Sequence, residues 1–241
     1  MDADRRSAVL TGVLFIVGTV VGLIGLGVVL EPLNSATDHL TLYGQSETRV
    51  LVASLLQLFM GVALFGMAIA VYPVLRKFSP SAAIAYVGAR LLEGVVYIII
   101  VLSWLALAGL GRAHIAAGSP GDSYFQVTGG LLYTVPEWAG HVILDVAIFP
   151  LGAVILYTVF YRVGLVPRWL SVWGLIGAVL YWVAGFLVMF HVIAPLESVH
   201  VMLQAPLGLQ EMVLAIWLIA KGFNAPALAS VASAGGSARS S

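Results

Sequence analysis

Six apolar runs, each long enough to cross a lipid bilayer, leave this chain few folds to choose from. They cover Ala8 to Leu30, Val50 to Leu75, Ala82 to Leu110, Trp138 to Phe160, Trp169 to Phe190 and Leu203 to Ala220. A hydrocarbon core of about 30 Å takes roughly 17 to 25 residues of helix, and every backbone polar group inside it must be bonded within the chain. The expected fold class is therefore all-α, an integral membrane bundle of six transmembrane helices formed by residues 1–223. The third run exceeds the need and is expected to tilt or project beyond the membrane. Composition agrees, with 61% hydrophobic and 9% charged residues, where soluble domains hold about 45 to 50% and about 25%.

Arg5 and Arg6 precede the first run as they would in a secretory leader. The run is longer than the roughly 7 to 15 apolar residues of a leader and ends without a small-residue cleavage site, so it is expected to remain as a helix. With the amino terminus inside, the inner segments hold Arg5, Arg6, Arg76, Lys77, Arg162, Arg168, Lys221 and Arg239, and the outer ones hold Arg49 and Arg112. That asymmetry predicts both termini cytoplasmic. Tyr72, Trp138, Tyr157, Tyr161 and Trp169 fall near run ends, where interface anchors are expected. Short inner loops, "RKFSPS" and "YRVGLVPR", predict two antiparallel hairpins. The two outer loops are longer, and Phe125 to Tyr133 is expected to lie in the interface. Residues 224–241 are small and polar and are expected to be a disordered cytoplasmic tail.

Net charge is zero and cysteine is absent. Nucleic-acid binding, disulfide frameworks and thiolate chemistry are thereby excluded. No G-x-S-x-G elbow, H-E-x-x-H helix, P-loop or dinucleotide glycine pattern is present.

The residues that the membrane must accommodate carry the functional signal. A charged side chain near the bilayer centre costs roughly 2.5 to 3.5 kcal/mol even on lenient scales. On the third run Tyr86, Arg90, Glu93, Tyr97 and Trp104 fall at steps of three, four or their sum and define one face. On the fourth, His141 and Asp145 are four apart. Gln57 shares a stripe with Ala53 and Gly61 on the second, and Gln204, Gly208, Glu211 and Ala215 align on the sixth, beside Gln210. Gly18 and Gly22 on the first run form a small-xxx-small contact. At about 1.5 Å rise per residue, Glu93 and Glu211 fall near mid-membrane, Arg90 a turn inward, and Asp145 and His141 toward the outside.

Arg90, Glu93, His141, Asp145 and Glu211 are accordingly the expected charge network, with Gln57, Tyr86, Tyr97, Gln204 and Gln210 as pocket lining. Three carboxylates against one arginine leave two negative charges to be met by protons, by a protonated His141 or by a cation. No cofactor is predicted; a divalent metal on His141, Asp145, Glu93 and Glu211 stays open. His39, His114, His191 and His200 fall in loops or at run ends and are expected to be solvated.

"ARLLEGV" (89–95), "LVPRWLSVWGLIGAVL" (165–180) and "LQEMVLAIWLIAKGF" (209–223) together resemble the multi-pass bacterial membrane family known as domain of unknown function 4386. The resemblance runs from the first helix to Lys221 and implies a six-helix membrane protein without implying an activity. Three functions remain open on the residues. The first is binding or transport of a small solute, proton or cation. The second is an intramembrane metal-dependent hydrolase, and the third is a structural or assembly subunit whose ion pair only sets packing. The lipid bilayer is the one certain partner; the oligomeric state is not readable.

Overall fold

A computed structural model describes residues 2–34, 38–119 and 124–229, and among these the chain is helical with no strand. Six helices are long and apolar enough to cross a membrane: α1 (Ala3–Asn34), α3 (Glu47–Phe78), α4 (Pro80–Ala116), α5 (Tyr124–Val163), α6 (Arg168–Met189) and α7 (Ser198–Ala220). A short helix, α2 (His39–Gln45), lies between the first two of these. Each long helix packs on the next in sequence and α7 closes on α1, so the six form a ring in which α4 and α7 stand opposite. Large apolar side chains such as Leu55, Val62, Leu102, Ile176 and Ile216 cover the perimeter, as a lipid-facing surface requires.

The hairpins are set by local chemistry. Pro80 disfavours helical backbone at the residue before it, and Ser79 is extended at φ −153° while its Oγ accepts from Ala82 N at 3.3 Å. One residue therefore separates α3 from α4. Gly164, at φ +67°, ends α5, and Asn224 holds that turn by donating from Nδ2 to Gly164 O at 2.6 Å. Arg5 donates to the carbonyls of Leu218 and Ile219 at 3.0 and 2.6 Å, meeting acceptors that the end of α7 leaves open.

Two stretches depart from α-geometry. Ile24–Leu30 in α1 and Trp138–Ile148 in α5 are π-helical. Each is followed two residues later by a proline, Pro32 and Pro150, which has no N–H for the carbonyl four residues back. For Pro150 that carbonyl is Val146 O, and Trp182 Nε1 donates to it at 2.7 Å. Pro136 orphans Leu132 O in the same way, and Ser103 Oγ donates there at 2.6 Å. Side chains of neighbouring helices thus repair bonds that the prolines remove, as burial away from water demands.

Several expectations change on this frame. Tyr157 is fully buried rather than at an interface. Gly208 faces outward, away from the stripe that holds Glu211 and Ala215. Residues 125–133 belong to the continuous helical run of α5. The segment between α1 and α3 contains α2, whose Leu40 and Tyr43 are buried; Gly44 and Gly111 allow it onto α4, since a Cβ on Gly111 would stand 2.2 Å from Leu40 O. Residues 225–229 are helical, with Ala227 and Leu228 packed on the core. Of the expected disordered tail, residues 230–241 lie outside the described residues.

Candidate functional site

Among the described residues, the buried carboxylates of the spans divide between two centres. The first is built on the inward face of α4. Arg90 and Glu93, both 2% exposed, meet at 2.6 Å between Nη1 and Oε2. Tyr97 OH donates to the other oxygen of Glu93 at 2.7 Å, and Arg90 Nε donates to Tyr86 OH at 3.2 Å. The rings of Phe15, Tyr86 and Phe149 lie 5.8, 5.5 and 5.3 Å from the guanidinium carbon, a cation–π box that a compact ammonium would fill less well. From across the ring, Glu211 of α7 brings Oε1 to 3.8 Å from Arg90 Nη2. That is beyond hydrogen-bond reach, and this buried oxygen has no hydrogen-bond partner.

The second centre lies on the π-helical stretch of α5. Asp145 Oδ2 accepts from Gln204 Nε2 at 2.7 Å. His200 Nε2 stands 3.5 Å from the same oxygen, and His141 Nδ1 3.7 Å. Gly185 of α6 makes room, since a Cβ there would lie 3.0 Å from Asp145 Cβ. The Leu196 amide donates to His200 Nδ1 at 3.1 Å. The other ring nitrogen, Nε2, stands 3.0 Å from Gln204 Nε2, closer than it is to Asp145. His200 is completely buried, whereas the His141 side chain keeps 22% exposure.

Tyr181 stands between the centres. Its hydroxyl faces Asp145, and Glu93 and Glu211 share its electrostatic surroundings. Its ring lies 4.8 Å from Phe149, the residue that also walls Arg90.

The sequence-derived residues divide accordingly. Arg90, Glu93 and Glu211 come together with Tyr86 and Tyr97; His141 and Asp145 form a separate group with Gln204. Gln57 is buried on α3, and Gln210 donates from Nε2 to Leu170 O at 3.0 Å. A ligand set of His141, Asp145, Glu93 and Glu211 is not assembled, because the two glutamates are held at Arg90. His200 takes their place: His141, Asp145 and His200 each offer a ligand-type atom, all within 4.8 Å. The expectation of a solvated His200 is overturned, because α7 starts at Ser198 and turns the ring inward. His114 is likewise buried, against Phe125. His200, Tyr181 and Phe149 were missed, although His200 stands four residues before Gln204, a spacing the sequence did show.

A fold of six membrane-spanning helices with polar centres inside defines a multi-pass membrane protein. Residues 10–222 match the family model described as Domain of unknown function (DUF4386), and the chain belongs to that family. No curated protein and no solved structure matches it.

Proposed function

We propose that this protein binds a proton or small cation within the bacterial cytoplasmic membrane and passes it across, with both termini cytoplasmic. The observation that carries the reading is Glu211 Oε1, buried mid-helix and unpartnered, 3.8 Å from an arginine already engaged by Glu93. One guanidinium faces two carboxylates, so the ionised set has one negative charge to spare. Unpaired charge in a low-dielectric interior draws in a proton or a cation.

The surroundings favour a cation over an anion. A recess of about 290 Å³ at the far end from Arg5 is lined by Glu137, His191 and Glu197, without lysine or arginine. Its wall continues through Leu196 to His200, and so to Asp145. Passage onward to Glu211 would follow Tyr181 and requires side-chain motion, since Glu93 and Glu211 do not line this recess.

Proteoliposomes loaded with a pH-sensitive dye, or with a sodium or potassium indicator, test this under an imposed potential. Wild-type protein should give flux and Glu211→Gln should abolish it while keeping the same elution volume and helicity. Wild-type flux from Glu211→Gln would sink the proposal.

A divalent metal at His141, Asp145 and His200 is the second reading, favoured by their convergence within 4.8 Å. It requires His200 Nε2 to be clear of Gln204 Nε2, which stands 3.0 Å away, and Nδ1 to donate instead of accepting from Leu196, because a ligating histidine donates through its other nitrogen. Metal analysis of metal-replete protein, compared with His200→Ala, decides it: a stoichiometric ion lost in the variant supports the site.

A further inference from the structure

The end of the bundle that collects Arg5, Arg76, Lys77, Arg162 and Arg168 also holds a recess of about 570 Å³ between α4 and α5. Its walls differ along its length. Ser79, Ser81 and Arg162 stand where the two helices reach the basic end, and Thr158 sits one turn further in. Beyond them the lining is hydrocarbon, with Ala82 and Ala85 facing Val154 and Ile155. The short alanine side chains leave a trough against the branched residues opposite. Such a surface fits an amphiphile whose polar head stays at the membrane edge and whose chain lies along the helices.

The charge at the mouth selects the head. Lys77 pairs with Asp4, Arg5 is spent on α7 carbonyls, and Arg76 and Arg168 lie over Tyr72 and Tyr161. Arg162 is exposed and makes no hydrogen bond or ion pair with a described residue, and among the described residues no carboxylate lines the recess. A guanidinium with nearby hydroxyls suits a phosphate group, bound through forked N–H donors, at the membrane face where basic side chains attract anionic lipid. The first turn of α4, a 37-residue helix, adds its N-terminal dipole at the same point.

We propose that this recess is a binding site for one anionic phospholipid, its phosphate on Arg162, Ser79 and Ser81 and one acyl chain along Ala82, Ala85, Val154 and Ile155. The site is independent of the two buried centres and of any flux through them.

The test uses the full chain, delipidated in detergent and titrated with phosphatidylglycerol, phosphatidylcholine or inorganic phosphate. Native mass spectrometry counts the molecules retained. One phosphatidylglycerol should survive activation that strips phosphatidylcholine. Arg162→Glu should weaken its retention about tenfold or more, as reversal of a lipid-facing charge implies. Ala85→Trp should do the same by filling the trough, and Arg168→Glu should not. Should Ala85→Trp fail to fold by size exclusion, Arg162→Glu and Arg162→Gln decide alone. Equal retention of both lipids, wild-type retention in Arg162→Glu, or displacement of the lipid by millimolar inorganic phosphate would each overturn the proposal; the last identifies a free-anion site.

Discussion

The two buried centres solve one problem, a carboxylate inside a membrane, in opposite ways. At Asp145 a single oxygen is surrounded by groups able to donate: Gln204 at 2.7 Å, His200 at 3.5 Å and His141 at 3.7 Å. At Arg90 a full positive charge answers one carboxylate closely and a second at a distance, leaving Glu211 Oε1 without a hydrogen bond. The difference follows from the backbone. Arg90 and Glu93 are three apart on regular helix, so one side chain supplies the other's partner locally. Asp145 lies on a π-helical stretch that gives it no arginine, and its donors come mostly from α7.

The largest expected effect tests the ion pair. Arg90→Leu leaves two buried carboxylates without a cation, and breaking a buried pair from one side costs about 3 to 5 kcal/mol. Guanidinium or thermal denaturation in micelles should show it, and Arg90→Leu combined with Glu93→Leu should recover most of the loss. A mild single variant would mean that the pair does not hold α4 in place.

Asp145→Ala comes next. It strands the Gln204 amide donor, a loss of about 1 to 3 kcal/mol, and should be read against Arg90→Leu in the same denaturation assay. If it destabilises as much as the arginine variant, the second centre is also an ion pair rather than a hydrogen-bond cluster. Trp182→Phe leaves Val146 O without its indole partner, and about 1 to 2 kcal/mol should be lost. Retained stability there would show that another group reaches the carbonyl when Pro150 cannot.

Glu211→Gln should change stability by less than about 1 kcal/mol, since a neutral amide replaces an oxygen that has no partner to lose. Stability kept and flux lost would separate the exchangeable carboxylate from the structural ones. The smallest effect belongs to an acid outside the membrane spans. Asp38 caps α2 by accepting from Thr41 N at 3.2 Å, and the Thr41 side chain together with that amide holds its carboxyl below the ordinary aspartate range. A depressed carboxylate contributes stability that is fully present above its unfolded pKa and lost as pH falls through the folded one. Protection factors of the α2 amides, normalised to the intrinsic exchange rate at each pH, should therefore be flat above about pH 5 and fall below about pH 4, with those of Asp38→Ala flat throughout.

Much of this was legible without coordinates because membrane burial constrains sequence strongly. The six spans, the polar face of α4 and the glycine contact of α1 all follow from local periodicity: Gly18 and Gly22 do meet α3, at Leu64 and Met60. The split of the polar residues into two centres was not legible. Residues on different helices have no sequence spacing that fixes their distance, and only the ring order sets Glu211 opposite Arg90.

What the sequence determined by itself is therefore the class and the local partners: six helices, and Arg90 beside Glu93 at a spacing that regular helix turns into contact. Tertiary structure decided the rest. It placed α7 across from α4, turned His200 inward and supplied Trp182 and Ser103 to carbonyls that Pro150 and Pro136 had left open. The physical reason is range: backbone hydrogen bonding and bilayer thickness act along the chain, but a buried charge is completed by whichever helix packing brings to it.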